Sequence, residues 1–131
     1  MSDSDTKYFD LYTCGIGYIS RVREVAPKEG APFLSVTIAA LRGSVRDAGY
    51  VYFECRVAGK RAQAVVRPLI PAIEGKLKVL IGFTLSDLSA EAYVHKRGEK
   101  AGSTGVSLKA RLLSVGWAKV DGQPFYDAQA A

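Results

Sequence analysis

The order of strand-like and helix-like segments constrains the fold of this chain more than any other feature of its sequence. Five segments have the composition or the apolar and polar alternation of β-strands, in which side chains point to opposite faces with a period of two. They are residues 12–25, 33–40, 50–58, 77–85 and 106–117. Between the third and fourth segments the period becomes helical, with one apolar stripe formed by Ala62, Val65, Val66, Leu69, Ile70 and Ile73.

Two prolines limit the helix that this stripe predicts. Pro68 and Pro71 each lack a backbone donor and crowd the preceding turn of a helix. We therefore expect a short helix that begins after Gly59, ends or kinks near Arg67 and is closed by Gly75.

Three strands, a helix and two further strands are the element order of the OB-fold, a five-stranded Greek-key barrel. A β-sandwich does not normally have its single helix in that place, and a parallel α/β sheet needs several crossover helices. We predict an all-β domain over residues 11–126, a five-stranded OB-fold Greek-key barrel with one short helix between strands three and four. Residues 1–10 are predicted to be a disordered tail and residues 127–131 a frayed one, while a turn at Asp121-Gly122 lets 124–126 fold back.

Composition places the chain among soluble globular proteins, with 48% hydrophobic and 24% charged residues. No apolar run approaches the roughly 20 residues that a membrane-spanning helix needs, and the polar start does not resemble a signal peptide. We expect a cytoplasmic protein without membrane contact.

Cys14 and Cys55 are too few for a disulfide scaffold, and with the single His95 they cannot form a closed zinc site without several carboxylates. Both are predicted to be buried free thiols, with no metal and no cofactor.

Motifs for catalysis do not appear in the sequence. The only GxG, at Gly15-Ile16-Gly17, has Ser20 where a dinucleotide-binding loop needs its third glycine. The glycines of 98–105 lack the Gly-Lys-Ser/Thr of a phosphate-binding loop, and His95 has no acid near it in sequence to orient it. We expect that the protein is not an enzyme.

The distribution of charge points to a polyanionic partner. The chain has 18 basic and 13 acidic residues and a net charge of +5. One Lys and three Asp lie in residues 1–10 and two Asp in 121–131, so residues 11–120 hold 17 basic and 8 acidic groups, a balance of +9. A domain that needs only solubility would mix the two signs more evenly, so this excess favours a nucleic acid or another polyanion.

Aromatic and basic residues share the predicted solvent faces. Tyr50, Tyr52 and Arg56 lie on the face of strand three opposite Val51, Phe53, Cys55 and Val57, and the loop over 93–105 joins strands four and five. That arrangement offers stacking planes beside cations, which single-stranded nucleic acids use. The candidate binding residues are Tyr50, Tyr52, Arg56, Tyr93, Lys96, Arg97, Lys100, Lys109 and Arg111. The alternatives are that the tyrosines are ordinary strand residues and the charges a solvated loop.

Several runs carry a family resemblance. The segments 17–21, 33–39 and 52–60, with Gly75-Lys76 before a strand, resemble the bacterial single-stranded DNA-binding proteins. More closely, YFDLYTCGIGYISRVREV with FLSVTIAALRGS, GVSLKARLL and W-x-KVDG resembles a replication-associated family of integrating conjugative elements, once described as a domain of unknown function. The resemblance covers Tyr8 to about Tyr126. It implies that Tyr52 and Tyr93 occupy the places of two base-stacking tryptophans.

From these observations we expect single-stranded DNA binding without strong sequence preference, in support of replication or transfer of a mobile genetic element. By analogy the protein is a homo-oligomer, either a dimer or a tetramer, and replication proteins are further candidate partners. An alternative is an OB-fold adaptor between proteins of a replication or conjugation complex, with an incidental basic surface. A binder of RNA or oligosaccharide is a third interpretation, which uses the same face.

Overall fold

The computed structural model describes residues 8–128, most of which form six strands and one long helix. The strands are β1 (Tyr12–Val25), β2 (Phe33–Arg42), β3 (Gly49–Val57), β4 (Val79–Val94), β5 (Thr104–Val120) and β6 (Gln123–Asp127). The helix α1 (Gly59–Glu74) lies between β3 and β4, and a short 3-10 turn (Val45–Asp47) precedes β3. Residues 1–7 of the predicted tail over 1–10, and residues 129–131 of the predicted tail over 127–131, lie outside the described range.

Five of the strands close into a ring. β1 pairs with β2 and β4, β2 with β3, and β4 with β5, all antiparallel. The ring is closed by a parallel pairing of β3 with β5, from Phe53 opposite Leu108 to Val57 opposite Leu112. This arrangement confirms the predicted all-β barrel with one helix between strands three and four. β6 adds to the free part of β5 and includes Asp127, so the chain folds back after Asp121-Gly122 as predicted.

The barrel interior is filled by the alternating residues that the sequence indicates. Val36 and Ile38 on β2 and Ile81 on β4 have no exposed surface. Helix α1 covers the barrel with its apolar stripe, in which Ala62, Val66 and Leu69 are also fully buried. Burial of this stripe packs the helix mainly against β5 and β1.

Helix α1 is longer than the sequence analysis predicted. It continues through Arg67 to Glu74, although Pro68 and Pro71 lie inside it. A proline leaves the carbonyl four residues earlier without its helical donor. Those carbonyls belong to Ala64 and Arg67, which are exposed, so water can replace the missing bonds. The buried residues beyond the first proline, Leu69 and Ile73, keep the last turns packed.

Strands β4 and β5 also extend beyond their predicted limits and form a long hairpin. The antiparallel pairing runs to Val94 opposite Thr104, so the connecting loop covers 95–103 rather than 93–105. Residues 88–94 are exposed, which shows that this part of the hairpin projects from the barrel. An irregularity between Ser86 and Ser89, with Asp87 at φ 53°, marks the point where the hairpin leaves the barrel wall.

The bulge of β1 lies on the C-terminal side of its two glycines, Gly15 and Gly17. The register shift falls between Ser20 and Arg23, where Arg21 has φ 52°. Gly17 allows β1 and β2 to approach each other closely, since a Cβ there would lie 2.6 Å from the carbonyl oxygen of Ala39.

Within the described residues, no helix combines the length and apolar character needed to cross a membrane.

Candidate nucleic-acid interface

A broad cleft of about 1450 Å³ lies between the outer face of β1, β2 and β3 and the projecting β4–β5 hairpin. We call it the main cleft. Its wall from β3 is formed by Tyr52, Glu54 and Arg56, which point outward as predicted. The intervening Phe53 and Cys55 are buried in the barrel. Strand alternation therefore separates a packed inner face from an accessible outer one.

Aromatic rings occupy both sides of the main cleft. On β3, Tyr52 is 60% exposed, and its ring centroid lies 6.2 Å from that of Tyr50. On the hairpin, Tyr93 lies opposite Gly105, where a Cβ would be 2.5 Å from its ring, so the ring lies across the neighbouring strand. His95 contacts Tyr93 edge-on, with 5.0 Å between ring centroids. The two predicted stacking residues thus lie on opposite walls of one cleft.

A third aromatic ring was missed by the sequence analysis. Phe33 lines the main cleft, and the guanidinium of Arg56 lies 4.3 Å from its ring centroid. This geometry is a cation–π contact that fixes the direction of the arginine. The signal was present in the alternation of 33–40, because Phe33 has the opposite phase to the buried Leu34 and Val36.

Several cations of this face are paired with carboxylates. Lys109 Nζ lies 2.8 Å from Glu91 Oε2, and Arg111 Nη1 lies 3.6 Å from Asp87 Oδ2. All four side chains are more than half exposed, so each pair contributes little to stability. A polyanion that contacts Lys109 or Arg111 therefore competes with an acid of the same hairpin.

Glu54 is an acidic residue on the floor of the main cleft. Its carboxylate accepts a hydrogen bond from the hydroxyl of Thr37, whose Oγ1 lies 2.9 and 3.1 Å from the two carboxylate oxygens. Its Oε1 also accepts from Arg23 Nη2 at 3.2 Å. Arg23 lines the cleft as well and was not among the predicted residues. Its detection required the register of β1, which changes at the bulge before it.

The structure brings some of the predicted binding residues together and separates others. Four of them line the main cleft, namely Tyr52, Arg56, Tyr93 and Lys109. Tyr50 lies next to Tyr52 but lines a neighbouring cleft, and Arg111 lies beside the main cleft on β5. The other three, Lys96, Arg97 and Lys100, are exposed on the tip of the hairpin.

The two cysteines differ in environment, and the prediction that both are buried is wrong for one of them. Both are free thiols, but Cys14 is exposed, with its Sγ 3.6 Å from Thr84 Oγ1, because its position in β1 faces outward. Cys55 is buried; desolvation, with a smaller effect of Glu54, raises the pKa of its thiol to about 12. Residues 8–128 contain no group of three or more His, Cys, Asp or Glu side chains placed to hold a metal ion.

Comparison with protein families matches almost the whole chain. A protein-family profile covers residues 2–131, and its description is "Protein of unknown function (DUF3577)". No curated protein and no solved structure matches the chain.

Proposed function

The chain belongs to this DUF3577 family, and we propose that it binds single-stranded DNA, without strong sequence preference, in the main cleft. The observation that supports this most is the set of aromatic rings around one open cleft. Tyr52, Tyr93 and Phe33 line it, and Arg56 lies against Phe33. Base stacking on aromatic side chains tolerates any sequence because every base has a π-face.

The electrostatics of the barrel support the same proposal. Residues 11–120 carry an excess of nine positive charges, and phosphates supply the complementary charge. Stacking on an exposed aromatic ring requires an unstacked base, which a single strand offers and a duplex does not. Single strands are therefore favoured over double-stranded DNA.

The biological setting rests on the sequence resemblance described above. It favours a cytoplasmic protein that protects or presents single strands during replication or transfer of a mobile genetic element, as a dimer or tetramer. In this proposal the protein performs no chemistry on the DNA.

A titration of three labelled nucleic acids tests the proposal. Fluorescence anisotropy is measured for oligo-dT, oligo-rU and a duplex of equal length at one salt concentration. We expect saturable binding of oligo-dT and weak binding of the duplex. Equal or tighter binding of oligo-rU would assign the cleft to RNA. No saturable binding to any of the three would reject the proposal in favour of the protein adaptor.

A further inference from the structure

A second cleft of about 620 Å³ adjoins the main one. It lies between the bulge of β1 and the segment that joins α1 to β4, and we call it the second cleft. Its lining includes three cations, one carboxylate and two aromatic rings, from Arg21, Lys76, Lys78, Glu74, Tyr18 and Tyr50. Arg21, Lys76 and Lys78 are not among the binding residues predicted from the sequence.

The two clefts are connected by shared and adjacent side chains. Arg21 lines both of them. Tyr52 in the main cleft and Tyr50 in the second are two residues apart on the outer face of β3, with 6.2 Å between their ring centroids. Rings at this spacing form a continuous aromatic path from one cleft to the other.

Within the part of the chain that the structure describes, three cations of the second cleft are not paired with carboxylates, whereas several cations of the main cleft are. Arg21, Lys76 and Lys78 form no ion pair with any residue in the range 8–128. Arg23 and Lys109 of the main cleft, in contrast, are paired with Glu54 and Glu91. A phosphate that enters the second cleft therefore does not have to displace a carboxylate from these three side chains.

The backbone around these cations is fixed. The N–H of Lys78 donates to Asp121 Oδ1 at 2.9 Å, and the N–H of Asp121 donates to the carbonyl of Lys78 at 2.8 Å. Lys76 has φ 61° and Arg21 has φ 52°, a left-handed conformation that glycine and asparagine adopt more readily than lysine or arginine. At Lys76 this conformation ends α1, because the N–H of Leu77 donates to the carbonyl of Ala72 and the N–H of Lys76 to that of Ile73.

We propose that a single DNA strand bound in the main cleft continues over Tyr52 and Tyr50 into the second cleft, where Arg21, Lys76 and Lys78 bind its phosphates. This inference rests on the proposed function and extends it from one cleft to a path across the barrel. It predicts a dependence of affinity on strand length that neither cleft alone would produce.

The test is a length series with a charge variant. Binding is measured for oligo-dT strands that cover and exceed the about 4 to 16 nucleotides bound by one OB-fold. The variant is Lys76→Asn with Lys78→Gln, since asparagine tolerates the positive φ of position 76. The control, Lys60→Gln with Lys119→Gln, makes the same change in net charge at exposed positions that line neither cleft.

We expect the variant to bind the shortest strands like the parent and to lose affinity for long ones. Its salt slope on long strands should be smaller by about 1.4, because each lost phosphate contact on a single strand contributes about 0.7. Thermal unfolding verifies that the variant is folded, and Tyr50→Ala, which leaves the charges intact, should show the same length dependence.

The outcomes separate this inference from the proposed function. If the parent binds oligo-dT but variant and control lose affinity equally at every length, the second cleft is not part of the path. If the two lysines act only on the carbonyl end of α1, stability will change without a change in the length dependence. Absence of binding by the parent would reject the proposed function itself.

Discussion

Tyr52 and Tyr93 differ from ordinary strand tyrosines in their surroundings, because both line one cleft that also contains cations. Base stacking is worth about 1 to 3 kcal/mol per base on substitution by alanine. We expect Tyr52→Ala and Tyr93→Ala each to weaken oligo-dT binding by roughly 5- to 150-fold, with little change in the salt slope. The measurement is anisotropy over a range of salt concentrations.

Phe125→Ala serves as the control for these two variants, since Phe125 is 48% exposed and lines neither cleft. It should bind like the parent. Binding of duplex DNA should be weak and insensitive to both tyrosine substitutions. If folded Tyr52→Ala and Tyr93→Ala bind oligo-dT as well as the parent does, the tyrosines are ordinary strand residues and the adaptor interpretation is favoured.

Glu54 carries a negative charge where we propose that DNA lies, and its carboxylate forms an ion pair with the guanidinium of Arg23. Glu54→Gln removes the charge and keeps an acceptor for the Thr37 hydroxyl. Because one partly exposed charge interaction is worth up to about 1 kcal/mol, we expect oligo-dT binding to tighten by about 2- to 5-fold. Glu29→Gln, at an exposed position that lines neither cleft, should have a smaller effect. Weaker binding by Glu54→Gln would indicate that the carboxylate contacts the ligand.

The buried thiol of Cys55 makes stability depend on pH in the alkaline range. Its pKa is raised from 9.0 to about 12, so the folded protein keeps a proton that the unfolded chain releases. The resulting stabilisation is complete below about pH 9 and is lost as pH rises towards 12, by about 1.4 kcal/mol per pH unit.

Urea unfolding under reducing conditions measures this effect. The difference in free energy of unfolding between the parent and Cys55→Ala should shrink as pH rises above about 9. Cys14→Ala should retain the pH dependence of the parent. A pH-independent difference between parent and Cys55→Ala would show that the thiol ionises equally in the folded and unfolded states.

At the scale of elements, the alternation of single strands could be predicted and their pairing partners could not. The phase of Phe53, Cys55 and Val57 identified the inner face of β3 because one side of that strand is buried. The outer part of β4, including Ala90, Glu91 and Ala92, has two exposed faces and therefore no apolar alternation. It is a strand because β5 pairs with it, which local sequence does not indicate.

The same limit applies to the candidate site: residues that depend on strand phase could be predicted, and residues that depend on strand pairing could not. Tyr52 and Arg56 followed from strand phase alone. Gly75 correctly marked the end of α1. Finding Arg21 and Lys76 of the second cleft also required the position of the bulge in β1 and the fold that brings it next to that end. Cross-strand ion pairs such as Lys109 with Glu91 depend on register, which the spacing of residues within one strand does not determine.

The substitution Gly105→Ala tests whether DNA binding depends on the orientation in which the hairpin holds Tyr93. An added Cβ would lie 2.5 Å from the Tyr93 ring and 2.8 Å from His95 Nε2, so Gly105→Ala must displace the ring. We expect oligo-dT binding to weaken by up to the factor produced by Tyr93→Ala, although the tyrosine is retained. Gly116→Ala is the matched control, since a Cβ there meets no described atom within 4 Å. Unchanged binding by Gly105→Ala would mean that the orientation of Tyr93 is unimportant.

At the scale of the whole molecule, the positive charge is arranged in two ways. Within residues 8–128, Arg23, Arg67, Lys109 and Arg111 are paired with acids, while the exposed cations of the hairpin tip and of the second cleft form no ion pair. Net charge alone therefore overestimates the number of phosphate contacts. The unpaired cations should contribute most to the salt dependence, because they release counterions from DNA without first losing a protein partner.

The salt dependence of oligo-dT binding measures how many of these cations contact phosphates. If about four do, log K should fall with log salt at a slope of roughly −3. Lys96→Gln with Arg97→Gln, at the hairpin tip, should reduce that slope by about 1.4 and weaken binding of oligo-dT, oligo-dA and oligo-dC to the same degree, because phosphate contacts carry no sequence information. Lys109→Gln should reduce the slope by less, since its partner Glu91 already neutralises it. A flat salt response of the parent would contradict phosphate recognition by the basic surface as a whole.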